Sequence, residues 1–373
     1  MDVLISGASM AGLSAAYWFA RLGHRVTMVE RADGLRPGGA PIDVRGRALG
    51  TAERMGILAQ IDAEKVAVLD PRPVYDGTGK QVATIDLRWF ANETDEDIEI
   101  TRDRLNNILL RAVSGDLTYR FNTSITSIAD GPGGADVAFT DGPPGHYDLV
   151  VGADGLHSNV RRLAFGPEKD FVRHFGYYVS LVDLPKDRQW SRGMINIPGL
   201  TISVRDPGDG PRGMMLVASP ELDYDYRNLD QQRKMIDSFL SRVDAWQVPV
   251  LRTAFADPAA RGFYFDSVSQ THMPSWIKGN CAVIGDAGHC PSLLSGMGTA
   301  LAMVAAEALA TTWSEHGGNT AAASPHFHER LRPYVDQCQA FASEGGPIMV
   351  PPTQQALDER NARFREYAVQ FAG

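Results

Sequence analysis

The chain has 373 residues, of which 44% are hydrophobic and 22% are charged, so it can bury a large core in an ordinary globular fold. At about 100–200 residues per domain, this length suggests two interlocked domains. A net charge of −9 without any Lys/Arg run argues against nucleic acid or an anionic membrane as the main partner, because both require a basic surface.

The first thirty residues predict a compact strand–helix–strand unit. Residues 2–6, with three apolar residues at their centre, favour a short buried strand, and residues 10–22 carry apolar side chains at helical spacing. Gly23 stands where a helix C-terminal cap is expected. Residues 25–30 form a second apolar run, which ends in the acidic Glu30.

The rest of the chain predicts one more mixed segment, a sheet-rich segment and a helical end. After a Gly/Pro-rich loop at 36–41, helical periodicity covers 46–62 and 103–113, and strands follow over 117–151. Alternating runs predict an antiparallel sheet. They cover 173–183, 200–205 and 212–218, with one helix near 229–243. A buried strand at 280–284, a helix over 297–314 and about 50 largely helical residues complete the chain.

These elements predict an α/β fold whose first domain is discontinuous. We expect a Rossmann-like dinucleotide-binding domain, an inserted antiparallel-sheet domain for the substrate, and C-terminal helices. The expected bounds are 1–70 with 100–168 and 278–315 for the first domain, 71–99 with 169–277 for the second, and 316–373 for the helical end.

The stretch Gly7-Ala8-Ser9-Met10-Ala11-Gly12 lies between the first strand and the first helix. A diphosphate can bind there, because the helix N-terminus offers unpaired N–H groups and a partial positive charge. Gly7 allows a tight turn and Gly12 allows close packing, whereas Ser9 replaces the usual middle glycine. Alone, such a turn could be purely structural. Glu30 favours a dinucleotide, because an acid at the end of the second strand can bind a ribose.

Two later segments help to distinguish FAD from NAD. Residues 148–162 and 285–298 each place an aspartate, Asp154 and Asp286, directly after an apolar strand. Asp286 can bind a ribityl-type hydroxyl. The stretch from Gly296 through Met297 to Gly298 can bring bare backbone and a helix dipole against a polar ring.

Together, these three segments resemble the group A FAD-dependent aromatic monooxygenases, the para-hydroxybenzoate hydroxylase-like superfamily. Within it the chain is most similar to the enzymes that include tetracycline-inactivating monooxygenases and antibiotic-tailoring hydroxylases. The resemblance covers most of the chain and is weakest over 165–275, where the substrate should bind. It implies a flavin site whose residues can be named by position. They are Gly7, Ser9 and Gly12 at the diphosphate, Glu30 at the ribose, Asp43 and Arg102 at the FAD, Asp286 at its ribityl and phosphate region, and Asp154 at both FAD and the nicotinamide cofactor. Arg36 is implied as an NADPH contact, and Ala11, Arg31, Gly296, Met297 and Gly298 are further cofactor-binding residues.

Several of these residues also have plainer interpretations. Arg102 could be a solvated residue at a helix start, Asp43 could cap the helix near residue 46, and Arg36 could pair with a surface acid. His289 is expected to be structural. Cys281 and Cys290 are expected to be buried thiols. Of the aromatic and methionine side chains in the inserted sheet, only alternate residues can line a cavity.

The chain departs from the family pattern at one position in the loop beside the flavin. The family usually has proline seven residues after the Asp286 equivalent, and Leu293 stands there instead, with Pro291 two residues earlier. No catalytic side chain is assigned, because the chemistry resides on the flavin. Leu293, Gly296 and Met297 are the expected neighbours of the reacting ring.

The resemblance implies a monooxygenase that takes electrons from NADPH or NADH and hydroxylates an aromatic or polyketide-like molecule with molecular oxygen through a flavin hydroperoxide. The alternative is an FAD-binding saturase or cyclase of the same fold that does not hydroxylate. A flavin-dependent halogenase is disfavoured, because its Trp-x-Trp-x-Ile-Pro stretch is absent. We expect a monomer or homodimer without a metal centre.

The cysteines and the N-terminal residues favour a reduced compartment. The three cysteines are odd in number and match no zinc pattern. The first residues lack the basic lead and apolar stretch of a signal peptide, and no run of about 18 apolar residues occurs in the sequence. We therefore expect a cytoplasmic protein.

Overall fold

The computed structural model describes residues 1–35, 40–66, 71–85, 96–115, 117–187, 192–208, 210–245 and 247–370. In chain order its strands are β1 (Asp2–Ser6), β2 (Arg25–Val29), β3 (Pro41–Val44), β4 (Arg72–Tyr75), β5 (Gln81–Ile85), β6 (Ile98–Thr101), β7 (Leu117–Arg120), β8 (Ile125–Gly131), β9 (Gly134–Phe139), β10 (Gly145–Tyr147), β11 (Leu149–Gly152), β12 (Val172–Asp183), β13 (Gly193–Ile197), β14 (Leu200–Arg205), β15 (Arg212–Ala218), β16 (Tyr264–Thr271), β17 (Ile277–Lys278) and β18 (Cys281–Val283). Its α-helices are α1 (Met10–Arg21), α2 (Arg47–Arg54), α3 (Leu58–Ala63), α4 (Arg102–Ala112), α5 (Asn159–Ala164), α6 (Leu229–Leu240), α7 (Val248–Ala256), α8 (Asp286–His289), α9 (Gly298–Glu315), α10 (Thr320–Ala340), α11 (Ala342–Met349) and α12 (Gln354–Gln370).

The first large sheet is mostly parallel and deeply buried. Its strand order is β17-β18-β11-β1-β2-β7, and every pair except β17–β18 is parallel. Its apolar strands form near-continuous hydrophobic runs because a parallel sheet is covered on both faces. Ser6 of β1 lies in register with Val29 of β2 and Gly152 of β11. The carboxyl ends of these three strands are therefore level, and this edge is where an open α/β sheet binds its ligand.

The helix α1 follows β1 and packs against α9 and α4. Its inner face is fully buried, including Leu13 and Phe19. Gly23, with a φ of +83°, ends this segment, and its N–H donates to the Ala20 carbonyl. This backbone conformation favours glycine, as the sequence predicts.

The second large sheet has the order β16-β12-β15-β14-β13-β4-β5, and its pairs are antiparallel except for β13–β4. One face packs against α6 and α7, where Tyr178 and Met215 are buried. The opposite face carries Val179 and Leu216, which pack with Leu294 from the loop before α9. This second face is therefore turned toward the segment that follows Asp286. The small antiparallel sheets β3–β6 and β8–β9–β10 complete the fold.

The predicted α/β class, with a parallel sheet, an antiparallel sheet and C-terminal helices, is confirmed. Two details differ. The predicted helix over 46–62 is two helices, α2 and α3, because Gly56 between them has a φ of +71°. The single helix expected near 229–243 ends at Leu240 and is followed by α7. Pro249 occupies the first turn of α7, where a missing N–H costs no hydrogen bond.

The described helices include none that is both long enough and apolar enough to cross a bilayer.

Candidate functional site

The turn between β1 and α1 has the close backbone packing that a diphosphate site requires. Gly7 has a φ of +105°, and a Cβ atom there would lie 2.4 Å from the carbonyl oxygen of Ala153. A Cβ atom on Gly12 would lie 1.8 Å from the Gly7 carbonyl oxygen. Only glycine therefore fits at both positions. The turn brings the N-terminus of α1 to the carboxyl edge of the parallel sheet.

Arg102 contacts this turn from another part of the chain. Ser9 holds the N-cap position of α1, and its Oγ accepts a 3.0 Å hydrogen bond from Nη2 of Arg102. Arg102 is the first residue of α4 and lies beside the chain at Ala40, whose carbonyl accepts its N–H. The turn thus combines a helix dipole with a guanidinium charge, and both attract an anionic diphosphate.

Glu30 reaches the same turn from the end of β2. One carboxylate oxygen accepts a 2.9 Å hydrogen bond from the N–H of Ala8, and the other accepts one of 2.9 Å from the N–H of Ala32. The side chain is half-buried, and the neighbouring Arg31 is exposed. The carboxylate is therefore held at the place where the sequence expects a ribose contact.

Asp286 approaches the turn from the opposite side. A Cβ atom on Gly285 would lie 2.8 Å from the Cβ atom of Ala11, so the start of α8 packs directly on α1. Asp286 is solvent-exposed although protein atoms surround it closely, as expected of a side chain that lines a groove. Burial raises the pKa of Asp286, while the Cys290 thiol and the charge of Arg102 act in the opposite direction. Three distant segments therefore meet at one turn.

The loop before α9 meets the β3 strand. Gly296 has a φ of +64°, and a Cβ atom there would lie 3.3 Å from Nη1 of Arg45 and 3.8 Å from Oδ2 of Asp43. A Cβ atom on Gly298 would meet nothing within 4 Å, and Met297 is buried between the two glycines. Asp43 lies within β3 rather than at the cap of α2, which is Gly46. The capping interpretation of Asp43 is therefore wrong.

At the position where the family usually has proline, this chain has Leu293, whose apolar side chain is exposed. Leu293 begins the 3-10 turn Leu293–Ser295, and 54% of its surface is accessible. Ser292 before it has a φ of +80°, which is rare for a residue with a side chain. Ser292 Oγ accepts the N–H of Leu294, so a local hydrogen bond supports this conformation. The loop therefore presents Leu293 beside the bare backbone of Gly296.

The Asp154 carboxylate shapes its own loop. It accepts hydrogen bonds from Ser158 Oγ and from the N–H groups of Asn159 and Val160. Burial raises the pKa of Asp154, and these hydrogen bonds oppose the rise. Because Gly7 packs against the backbone at Asp154, this loop supports the diphosphate turn. Arg36, the predicted NADPH contact, lies outside the described residues.

The sheet face turned toward this groove is apolar, with paired charges at one end. Phe175, Tyr177 and Met214 belong to this face, whereas Tyr178 and Met215 pack on the opposite one, as strand alternation predicts. Two ion pairs lie at the end of the sheet. They are Arg205 with Glu99 at 2.6 Å, and Arg212 with Asp183 at 3.3 Å.

His289 and the cysteines have no sign of chemical activation. Burial lowers the pKa of His289 to about 3, so the imidazole is neutral at physiological pH. Burial raises the pKa of the Cys281 thiol to about 12, and the pKa of Cys290 is raised well above its ordinary value for the same reason. These side chains are buried, as the structural interpretation expects.

Sequence reasoning missed a charged cluster beside the site. His157 lies between Glu168 and Asp266, with ring nitrogens 2.9 Å and 3.1 Å from their carboxylate oxygens. Burial lowers the pKa of His157, but the hydrogen bonds and charges of Asp266 and Glu168 outweigh it and raise the pKa to about 9. His157 falls within the 148–162 motif, but Asp266 is 109 residues away, so no local signal connects them.

The described residues fit a flavin dinucleotide. The glycine turn, the helix N-terminus and Arg102 suit a diphosphate, and Glu30 and Asp286 suit hydroxyl groups on either side of it. The open space beside Gly298 and the apolar sheet face that Leu294 contacts suit a flat ring. The charged and hydrogen-bonding groups around the turn, together with the apolar sheet face that Leu294 contacts, match a molecule with a charged middle and an aromatic end.

Comparison with known proteins agrees with this geometry. Residues 1–192 match the family model described as an FAD binding domain. The chain is 33% identical to a flavin-dependent monooxygenase of Legionella longbeachae, over 98% of this chain and 94% of that protein. It is 36% identical to an uncharacterized protein of Mycobacterium tuberculosis, over 95% and 96% of the two chains. The crystal structure of the tetracycline destructase Tet(51) superimposes with a TM-score of 0.85, at 30% identity, over 98% of this chain and 96% of that one. The chain therefore belongs to the group A FAD-dependent monooxygenases.

Proposed function

We propose that this protein uses NADPH or NADH and molecular oxygen to hydroxylate an aromatic or polyketide-like small molecule. The observation that carries the proposal is the meeting of Glu30, Arg102 and Asp286 at the Gly7–Gly12 turn, beside an apolar sheet face. When bound, FAD supplies electron transfer from the nicotinamide and the activation of oxygen. The chain supplies binding, orientation and the exclusion of water.

Each part of the flavin nucleotide has proposed partners along the groove. Gly7, Ser9, Ala11, Gly12 and Arg102 bind the diphosphate, Glu30 and Arg31 lie at the adenosine ribose, and Asp286 lies at the ribityl chain. Asp43 and the backbone from Gly296 through Met297 to Gly298 contact the ring. Asp154 acts by fixing its loop, and Arg36 contacts NADPH.

The lobe formed by 1–70, 100–168 and 278–315 is proposed to hold the cofactor, and the sheet of 71–99 and 169–277 to cover the substrate. The partly buried side chains of Phe175, Tyr177 and Met214 on this face suit a flat ring system. The ion pairs Arg205–Glu99 and Arg212–Asp183 suit polar groups along one edge of it. A polycyclic, oxygen-rich aromatic compound has both features. The tetracycline destructases among the similar structures support the same class.

The test uses the protein reconstituted with FAD. With NADPH or NADH and a panel that includes tetracycline, anhydrotetracycline and simple phenols, we expect substrate-stimulated oxygen consumption. Mass spectrometry should show a product with one added oxygen atom. A product of unchanged mass, or one reduced without oxygen uptake, would support a cyclase or a saturase instead. A colourless protein that cannot be loaded with FAD would contradict the proposal.

A further inference from the structure

We propose that Tyr264, Asp266, His157 and Glu168 form a proton path from the protein surface to the groove between the sheet and the flavin site. The proposal rests on the function proposed above. In that reaction a substrate C–H bond, NAD(P)H, one O2 and one solvent proton become a C–OH bond, NAD(P)+ and water. The nicotinamide and the substrate carbon are oxidised, both oxygen atoms are reduced, and the proton ends in the water. When FAD and substrate fill the site and exclude bulk water, this proton needs a route through the protein.

Tyr264 is the inner end of the path. It is the first residue of β16 and packs on the sheet face that carries Val179 and contacts Leu294. Burial raises the pKa of Tyr264, and the charges of Asp266 and Asp286 add to the rise, whereas Arg102 opposes it. Leu294, from the loop between Asp286 and Gly296, packs in the same cluster, so the side chain that carries the Tyr264 hydroxyl lies beside the segment proposed to contact the flavin. The same hydroxyl donates a 3.2 Å hydrogen bond to Oδ2 of Asp266.

Asp266 connects Tyr264 with His157. Only 6% of its surface is exposed, and its Oδ1 accepts a 3.1 Å hydrogen bond from Nε2 of His157. Oδ1 also accepts the N–H of Ser267 at 2.7 Å and the hydroxyl of Tyr224 at 3.3 Å. Tyr224 packs with the residues on the opposite face of the sheet, among Tyr178 and Phe265. The carboxylate therefore has one phenol donor on each side of the sheet.

His157 and Glu168 form the outer end. Nδ1 of His157 lies 2.9 Å from Oε1 of Glu168, whose side chain is 40% exposed. Because a carboxylate faces each ring nitrogen, the imidazole donates on both sides and carries a positive charge. The ring of Tyr226 stacks on it with a centroid distance of 4.0 Å. A proton from solvent can thus enter at Glu168 and displace one through His157 to Asp266.

Arg161 fixes the outer end in place. Its Nη2 lies 3.1 Å from Oε2 of Glu168, and its Nη1 donates to the carbonyl of Ala287, next to Asp286. The charged groups that face His157 are therefore Glu168 and Asp266, with Arg161 beyond Glu168. The ion pair with Arg161 holds the Glu168 carboxylate beside Nδ1 of His157.

The competing interpretation is a purely structural one, in which the cluster joins the loop after β11 to β16. The two phenols distinguish the interpretations. Tyr264→Phe and Tyr224→Phe each remove one hydrogen bond to Asp266, at 3.2 Å and 3.3 Å. A structural role predicts equal effects of the two substitutions, whereas a proton path predicts an effect of the Tyr264 substitution alone.

The experiment follows the oxidation of the FAD-loaded protein after anaerobic reduction with dithionite. Mixing with oxygen converts the reduced flavin anion, O2 and one proton into oxidised flavin and hydrogen peroxide, so neither nicotinamide nor substrate is needed. Flavin absorbance gives the rate in H2O and in D2O. We expect Tyr264→Phe and His157→Gln to slow this reaction by about tenfold or more, because general acid assistance contributes at least that much. Tyr224→Phe should match the wild type.

A second measurement uses the protein without FAD. The imidazole nitrogen-15 NMR signals of His157 should show a doubly protonated ring up to a pH of about 9, and Asp266→Asn should move the titration toward 6.5. Titration of the His157 imidazole near 6.5 in the wild type would contradict the proton path.

The two proposals fail in different ways. Equal oxidation rates for Tyr264→Phe and Tyr224→Phe, in a protein that binds FAD and hydroxylates a substrate, would contradict the proton path and leave the proposed function intact. A chain that does not bind FAD would remove the proposed function and the path with it.

Discussion

Nη2 of Arg102 donates a 3.0 Å hydrogen bond to Oγ of Ser9, although the two residues are 93 positions apart. The bond brings the start of α4 to the start of α1 and places a fixed positive charge at a helix N-terminus. Ser9 replaces the glycine that usually stands in such turns. Its hydroxyl therefore has a defined use here, since it orients the guanidinium at the proposed diphosphate site.

Replacing Arg102 should weaken FAD binding. Arg102→Met keeps the length of the side chain but removes a charged donor, a loss of about 1.5–3 kcal/mol, or about 10- to 100-fold in affinity. Equilibrium titration of the FAD-free protein with FAD measures the change. Arg104→Met is the matched control, because Arg104 lies on the same helix and donates to the carbonyl of Glu64 instead. Equal losses in both variants would contradict the role of Arg102.

Replacing Glu30 should also weaken FAD binding. Glu30→Ala removes the carboxylate that binds the N–H groups of Ala8 and Ala32, so both the turn and the proposed ribose contact are affected. We expect a loss of about 10- to 100-fold in FAD affinity, by the same reasoning on charged hydrogen bonds. Isothermal titration calorimetry with FAD checks this, with the exposed Asp33→Asn as control. Unchanged affinity in Glu30→Ala would place the ribose elsewhere.

Two glycines should respond differently to alanine. Gly7→Ala puts a Cβ atom 2.4 Å from a backbone oxygen at a φ of +105°, so the FAD-free protein should lose stability. In Gly298→Ala the new Cβ atom meets open space, so without FAD the variant should unfold at the wild-type temperature. With FAD present, the variant should gain less thermal stability than the wild type gains. Thermal unfolding with and without FAD separates the two. Destabilisation of the FAD-free Gly298→Ala protein would contradict the proposed backbone contact.

His157 should make the free energy of unfolding depend on pH. Its pKa rises from 6.5 to about 9 in the folded protein, so the folded state holds its proton more tightly. The resulting stabilisation is fully present below 6.5 and is lost as the pH rises toward about 9. It amounts to up to about 3 kcal/mol, at about 1.4 kcal/mol per pKa unit.

Urea unfolding at a series of pH values between these limits measures this dependence. His157→Gln should show a flatter profile than the wild type, because it retains a donor without a titrating charge. Parallel profiles for the two proteins would show that His157 is not held as an imidazolium.

Local patterns of sequence predicted the elements that build the site. The apolar run of β1, the glycines of the following turn and Glu30 at the end of β2 are neighbours in the chain, so spacing alone shows their arrangement. Alternation along the strands likewise predicted that Tyr177 and Tyr178 face opposite sides of the second sheet. The extra helix α7 and the break between α2 and α3 were missed, because a proline in a first turn and a glycine at positive φ give weak local signals.

The sequence by itself determined the secondary structure around the cofactor turn, the two kinds of sheet and the family to which the chain belongs, because these depend on short-range periodicity and motif spacing. Only the tertiary structure decided which distant side chains meet. The Arg102–Ser9 bond, the packing of Gly285 on Ala11 and the His157–Asp266 pair all join segments of different strands and helices. Such contacts arise from how the sheets and helices pack against each other, and the pairing of His157 with Asp266 and Glu168 is what raises the pKa of its imidazole.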